Sequence, residues 1–91
     1  MQRSNELDIE KRNEYVKFLV EVLVRKYHIS MSGIAQDADI SVSGLSALLS
    51  DSRTLRGATI DQLEDLLIDL YQPLLDFEIQ MHQAFVDELF K

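Results

Sequence analysis

The side chains that could bind a polyanion or read a base edge are concentrated between residues 30 and 56. Serine hydroxyls donate and accept hydrogen bonds, small apolar side chains can contact a thymine methyl group, and arginines neutralise phosphates. Free backbone N–H groups at a helix start can hold a further phosphate. The alternative is that the serines are ordinary helix caps and solvated surface. The candidates are Ser30 and Ser32 at a helix start, Ser41, Val42, Ser43, Ser46 and Ala47 for base edges, and Arg53 and Arg56 for phosphates.

Two short helical patterns position these residues on either side of a tight connection, Ala38-Asp39-Ile40. The first helix is predicted over residues 31–37. The second is predicted over residues 41–50, because Ser41 is a good N-cap and three leucines follow it at helical spacing. A helix that buries its leucines and exposes its serines in this way fits the major groove of DNA. The leucines are Leu45, Leu48 and Leu49.

The same stretch resembles the helix-turn-helix of the phage-repressor-type family, the Xre-like or lambda-repressor-like domains. In that family an aliphatic-serine pair opens the second helix, and a turn then leads to a recognition helix with a central aliphatic residue. The resemblance covers roughly residues 15–72 and implies an all-α, five-helix domain that binds DNA as a transcriptional regulator. The residues that carry it are Ile29-Ser30, Ile34-Ala35, Asp39-Ile40-Ser41, Leu45 with Leu48, and Asp51-Ser52-Arg53.

The chain departs from the family pattern at a few positions. Asp39 and Asp51 stand where the family has a turn glycine and an exit glycine. Aspartate tolerates a left-handed backbone better than most residues, so both turns can form. Each nevertheless places a negative charge near the surface that would meet phosphates. Met31 stands where the family often has glutamine, and Leu49 where it has glutamate.

The composition indicates one small domain without covalent cross-links. The chain has 91 residues, 46% of them hydrophobic, and no cysteine, which excludes disulfides and thiolate metal sites. The formal net charge is −7, but residues 1–29 contribute +1, residues 30–58 contribute −1 and residues 59–91 contribute −7. Affinity for a duplex depends on local neutralisation of phosphates. The near-neutral first two-thirds of the chain therefore permits DNA binding, although it lacks the basic stripe typical of DNA-binding proteins.

Two longer apolar segments predict helices on either side of this stretch. The first runs from Asp8 to His28 and has two apolar stripes, so it lies between its own core and either the C-terminal helix or a partner. The second opens at a capping-box pattern, Thr59 with Gln62, and keeps its leucines through Leu70 inside. Pro73 predicts a break or kink near Tyr71-Gln72, because proline lacks the amide donor and clashes with the preceding turn.

The last helix, predicted over residues 74–90, is apolar around so wide an arc that a monomer of this size cannot cover it. We therefore expect a homodimer formed through this helix, with help from the second stripe of the first helix. The expected interface comprises Leu74, Phe77, Met81, Phe85, Leu89 and Phe90, together with Tyr15, Phe18 and Val22.

The expectation is therefore an all-α, five-helix protein with a flexible start (residues 1–7), a helix-turn-helix domain (8–72) and a dimerisation helix (73–91). It would act as a cytoplasmic, repressor-like homodimer on double-stranded DNA, without a cofactor, a metal or a membrane anchor. The alternative is an antirepressor or adaptor on the same fold, whose acidic C-terminal third engages another regulatory protein. No pattern typical of catalysis occurs, and the two histidines, His28 and His82, lie on separate helices.

Overall fold

Five α-helices make up the part of the chain that the computed structural model describes, residues 6–89. No strand occurs between these residues, so the all-α expectation with five helices is confirmed. The principal extents are 31 × 28 × 24 Å. The helices are α1 (Glu6–Arg25), α2 (Met31–Ala38), α3 (Val42–Leu49), α4 (Ala58–Met81) and α5 (Gln83–Leu89).

The core lies where the long helices α1 and α4 pack together and where α2 and α3 close over them. α2 packs on both α3 and α4, whereas α3 and α5 each pack on α1. The leucine stripe predicted for residues 41–50 faces the core, since Leu45 and Leu48 are buried. The other buried apolar residues are Ile9, Val16, Leu19, Val20, Leu23, Ile34, Ala35, Ala38, Leu55, Ile60, Leu63, Leu66, Leu67 and Leu75.

Both ends of α1 and the start of α4 differ from the prediction. α1 begins at Glu6, inside the segment expected to be flexible, of which residues 1–5 lie outside the described residues. It ends at Arg25 because His28 adopts a left-handed backbone, with φ of 58°. α4 begins at Ala58 after Gly57, which has φ of 58° and gives no side-chain cap, so the predicted capping box was wrong. A glycine adopts this conformation without the steric penalty that a Cβ brings.

Of the break or kink predicted near Tyr71-Gln72, a break does not occur. α4 continues through Pro73 to Met81, and the break lies at His82. The proline removes one backbone hydrogen bond, but Leu75 and Glu78 beyond it are buried, and these contacts hold the second half of the helix in place. The expected boundary between residues 72 and 73 therefore falls within one continuous helix.

The second apolar stripe of α1 is covered by the C-terminal helix of the same chain. The Phe18 ring lies 5.0 Å from the Phe85 ring and 5.3 Å, edge to face, from the His82 ring. α5 thus folds back onto α1. Of the two partners expected for the second stripe, the C-terminal helix or another chain, the structure has the C-terminal helix. Tyr15 and Val22 are half-buried, and Phe90 lies outside the described residues.

Candidate nucleic-acid interface

A left-handed aspartate forms the turn between α2 and α3. Asp39 has φ of 59° and ψ of 44°. The N–H of Ile40 donates to the carbonyl of Ala35 at 3.0 Å, and the N–H of Asp39 donates to that of Gln36 at 3.1 Å. This pair of bonds is a Schellman motif, in which the left-handed position is usually glycine. Asp39 therefore performs the role that the sequence assigned to it.

The two short helices open on the same local pattern. A short repeat, which was not predicted, places Ile40-Ser41-Val42-Ser43-Gly44 eleven residues after Ile29-Ser30-Met31-Ser32-Gly33. The Ser30 hydroxyl accepts a hydrogen bond from the Gly33 N–H at 2.9 Å, and Ser41 accepts one from Gly44 at 3.0 Å. Ser41 is thus the N-cap predicted for the second helix. Ser30, expected near a phosphate, also caps its own helix.

The outer face of α3 carries small polar side chains and one exposed valine. Gly44, Leu45 and Leu48 are buried, while Leu49 and Ala47 are half-buried. Val42, at 46% of its full exposure, is one of the large apolar side chains left at the surface. The structure therefore brings the predicted base-reading residues onto one accessible face, which consists of Ser41, Val42, Ser43 and Ser46 with Ala47 at its edge.

A second Schellman motif ends α3. Asp51 has φ of 62°, and the N–H of Ser52 donates to the carbonyl of Ala47 at 3.0 Å. The Asp51 carboxylate lies 2.6 Å from the Lys17 ammonium of α1, and this hydrogen bond raises the pKa of Lys17. The negative charge of Asp51, which counted against phosphate contact, is therefore partly neutralised within the chain.

A buried asparagine fixes the loop that carries both candidate arginines. The Asn13 amide donates to the carbonyls of Leu55 and Ile9 at 2.9 and 2.8 Å, and its oxygen accepts from the Leu55 N–H at 2.7 Å. Leu55 is itself buried, whereas Arg53 and Arg56 on either side of it are exposed. Asn13 was not among the predicted residues, although a polar residue on the buried stripe of a helix indicates a buried hydrogen bond of this kind.

The acidic face at the start of α4 is engaged by one arginine of α1. Arg12 Nε donates to Glu64 at 3.0 Å, and Arg12 Nη2 donates to Glu64 at 2.5 Å and to Asp61 at 2.6 Å. These bonds, chiefly that to Glu64, raise the pKa of Arg12 against the effect of burial. Two carboxylates of the acidic C-terminal third therefore stabilise the α1–α4 contact.

A buried carboxylate anchors the second half of α4 to the end of α1. Glu78 accepts hydrogen bonds from the Lys26 ammonium at 2.5 Å and from the Tyr27 hydroxyl at 2.8 Å. The bond from Lys26, and then that from Tyr27, lower the pKa of Glu78, whereas burial acts in the opposite direction. These contacts join α4 to the end of α1.

Other kinds of site receive no support from the described part of the chain. Between residues 6 and 89, His, Asp and Glu side chains form no cluster of three or more that could hold a metal ion. No described helix combines the length and the apolar character needed to cross a membrane.

Comparisons with protein-family models, with curated proteins and with solved structures find no match for this chain. What it binds is therefore inferred from its own residues.

Proposed function

We propose that this protein is a small DNA-binding transcriptional regulator, repressor-like, that acts as a homodimer. In this proposal α2 and α3 form a helix-turn-helix of the phage-repressor type, and residues 41–50 enter the major groove. The observation that carries the proposal is the division of α3 into two faces. Leu45 and Leu48 are buried in the core, whereas Ser43, Ser46 and Val42 are exposed to solvent.

The exposed face suits close approach to DNA. The major groove is about 12 Å wide and admits a helix, and short side chains let the helix sit deep in it. Ser43 and Ser46 would hydrogen-bond to base edges, and Val42 would contact a thymine methyl group. Arg53 and the N–H groups at the start of α2 would contact phosphates and set the register. The regulator would then act by occupying a promoter.

A salt-dependent titration tests this proposal. Duplexes selected from a random pool are titrated with the protein while fluorescence anisotropy is followed at several salt concentrations. For a dimer, Arg53→Ala removes two phosphate contacts, so the slope of log K against log salt should become shallower by roughly 2. Arg53→Lys keeps the charge and should keep the slope. Ser43→Ala added to Arg53→Ala should abolish specific binding.

A specific observation favours a second candidate, an antirepressor or adaptor on the same fold. Large apolar side chains are exposed along the second half of α4, and the acidic excess lies on α4 and α5. Such a surface suits capture of another regulatory protein. Absence of specific duplex binding at about 100 mM salt, together with a stable complex with a DNA-binding regulator, would favour the adaptor over the first proposal.

A further inference from the structure

A line of large apolar side chains is exposed along the second half of α4. Leu70, Leu74, Phe77 and Met81 keep 57%, 39%, 55% and 61% of their full exposure. On the first half of α4 the same line continues through Leu63 and Leu66, and both of these residues are buried. α2 also packs against α4. Leu70 was expected inside, and it is exposed. We name Leu70, Leu74, Phe77 and Met81 the α4 seam.

We propose that the α4 seam pairs with the α4 seam of a second copy as an antiparallel two-helix contact. The four residues are spaced by four, three and four positions, which is the a/d spacing of a heptad and lets side chains interlock between two helices. A two-fold axis between residues 75 and 76 sets Leu70 against Met81 of the second copy, and Leu74 against Phe77. A contact of this kind is closed and self-complementary.

The charges beside the seam favour an identical helix over a basic partner. Tyr71, Pro73 and Gln80 occupy the flanking heptad positions, and none of them is charged. Glu78, the fourth flanking residue, is held by Lys26. The Lys26 ammonium lies 5.8 Å from the Phe77 ring, and with Glu78 it forms a pair without net charge. Two copies therefore meet without net like charge at the flanks, and these positions offer a basic partner no available carboxylate.

Electrostatics also select the antiparallel orientation. In a parallel pair, the two α5 helices, each carrying Asp87 and Glu88, would lie at the same end of the contact. The antiparallel arrangement separates these charges and opposes the two helix dipoles.

The size of the seam sets the strength of the contact. With about half of each side chain exposed, the seam offers roughly 100 Å² per residue, hence about 800 Å² from both copies. This falls below the ~1,200 Å² of the smallest stable interfaces, and flanking residues supply the rest. The dimer is therefore expected to be weak and reversible.

The seam revises the interface expected from the sequence. Leu74, Phe77 and Met81 remain in it and Leu70 joins it, whereas Phe18 and Phe85 already pack on each other within one chain. Tyr15, Val22 and Leu89 also lie outside the seam. This inference rests on the dimeric half of the proposed function and is independent of DNA binding.

Sedimentation equilibrium without DNA tests the seam. The wild-type chain should dimerise at micromolar concentrations, and Leu74→Glu combined with Phe77→Glu should weaken dimerisation at least 100-fold. Ile68→Glu is the matched control, because Ile68 is exposed on another side of α4. It should leave the dimer intact, and circular dichroism should show unchanged helix content in all variants. A wild-type monomer at hundreds of micromolar, or a dimer that survives the seam substitutions, would overturn the proposal.

Cross-linking tests the orientation, because the chain contains no cysteine. A mixture of the Leu70→Cys and Met81→Cys variants should form a mixed disulfide dimer on mild oxidation, since these positions face each other across the axis. Each variant alone should cross-link poorly. Efficient cross-linking of each variant with itself would show a parallel pair and overturn the antiparallel seam. Because no DNA is present, these outcomes are separate from failure of the regulator proposal.

Discussion

Replacement of Asn13 by alanine should destabilise the protein and release the loop that carries Arg53. Asn13 satisfies both the N–H and the C=O of buried Leu55. Each buried backbone group left without a partner costs about 1–3 kcal/mol. Water can reach the loop from its exposed side and recover part of this, so we expect a loss of about 2–4 kcal/mol in the free energy of unfolding. The corresponding decrease in Tm is roughly 10–25 °C for a domain of this size.

Urea denaturation followed by circular dichroism measures this loss, and two further variants define its cause. Asn13→Leu refills the space with apolar atoms but leaves Leu55 without partners, so it should not restore the stability lost in Asn13→Ala. Gln83→Ala removes an exposed hydrogen bond to Asp87 and should change the free energy of unfolding by less than about 0.5 kcal/mol. In both Asn13 variants the Leu55 amide should exchange with solvent faster than the core amides.

Stability of the Asn13→Ala variant within about 1 kcal/mol of wild type would refute this reasoning. Recovery in Asn13→Leu would instead identify a cavity as the cause and refute the role assigned to the hydrogen bonds.

Three further predictions concern the candidate interface, the buried carboxylate and the core. Asp39→Asn keeps a residue that tolerates the left-handed turn and removes a charge near the phosphates, so it should tighten duplex binding by about 2–10-fold. Asp69→Asn, the same charge change on α4, should leave binding unchanged. Glu78 has a lowered pKa, so its contribution to stability is present above the ordinary value of 4.5 and is lost as the pH falls through the lowered one. Glu78→Gln should therefore flatten the decrease in the urea midpoint below about pH 4.5. Leu45→Ala should reduce the free energy of unfolding by about 2–5 kcal/mol, and Val42→Ala, on the exposed face of the same helix, by less than about 1 kcal/mol, in urea titrations.

The sequence predicted the features that depend on neighbours within one or two helical turns. The leucine stripe of α3 and its cap at Ser41 follow from local spacing, and both are present. The left-handed backbone at Asp39 and Asp51 agrees with what the resemblance implies, because these aspartates stand where the family has its turn and exit glycines.

The features that the sequence did not predict depend on contacts between residues far apart in the chain. Asn13 meets Leu55 across 42 positions, and Lys26 meets Glu78 across 52. The local pattern at Pro73 predicts a break or kink, because it does not include the burial of Leu75 and Glu78 beyond the proline, which keeps α4 continuous. The two apolar stripes of α1 likewise allowed two partners for the second stripe, the C-terminal helix or another chain. The contact between Phe18 and Phe85 shows that the C-terminal helix of the same chain covers it.

Amide chemical-shift mapping during titration with a selected duplex tests most directly whether the outer face of α3 binds DNA. We expect the largest shifts at residues 41–47, with smaller ones at residues 30–33 and 53–56, and little change along α4. Shifts confined to α4 and α5, or no shifts at all with duplexes recovered by selection, would contradict the proposed DNA-binding function.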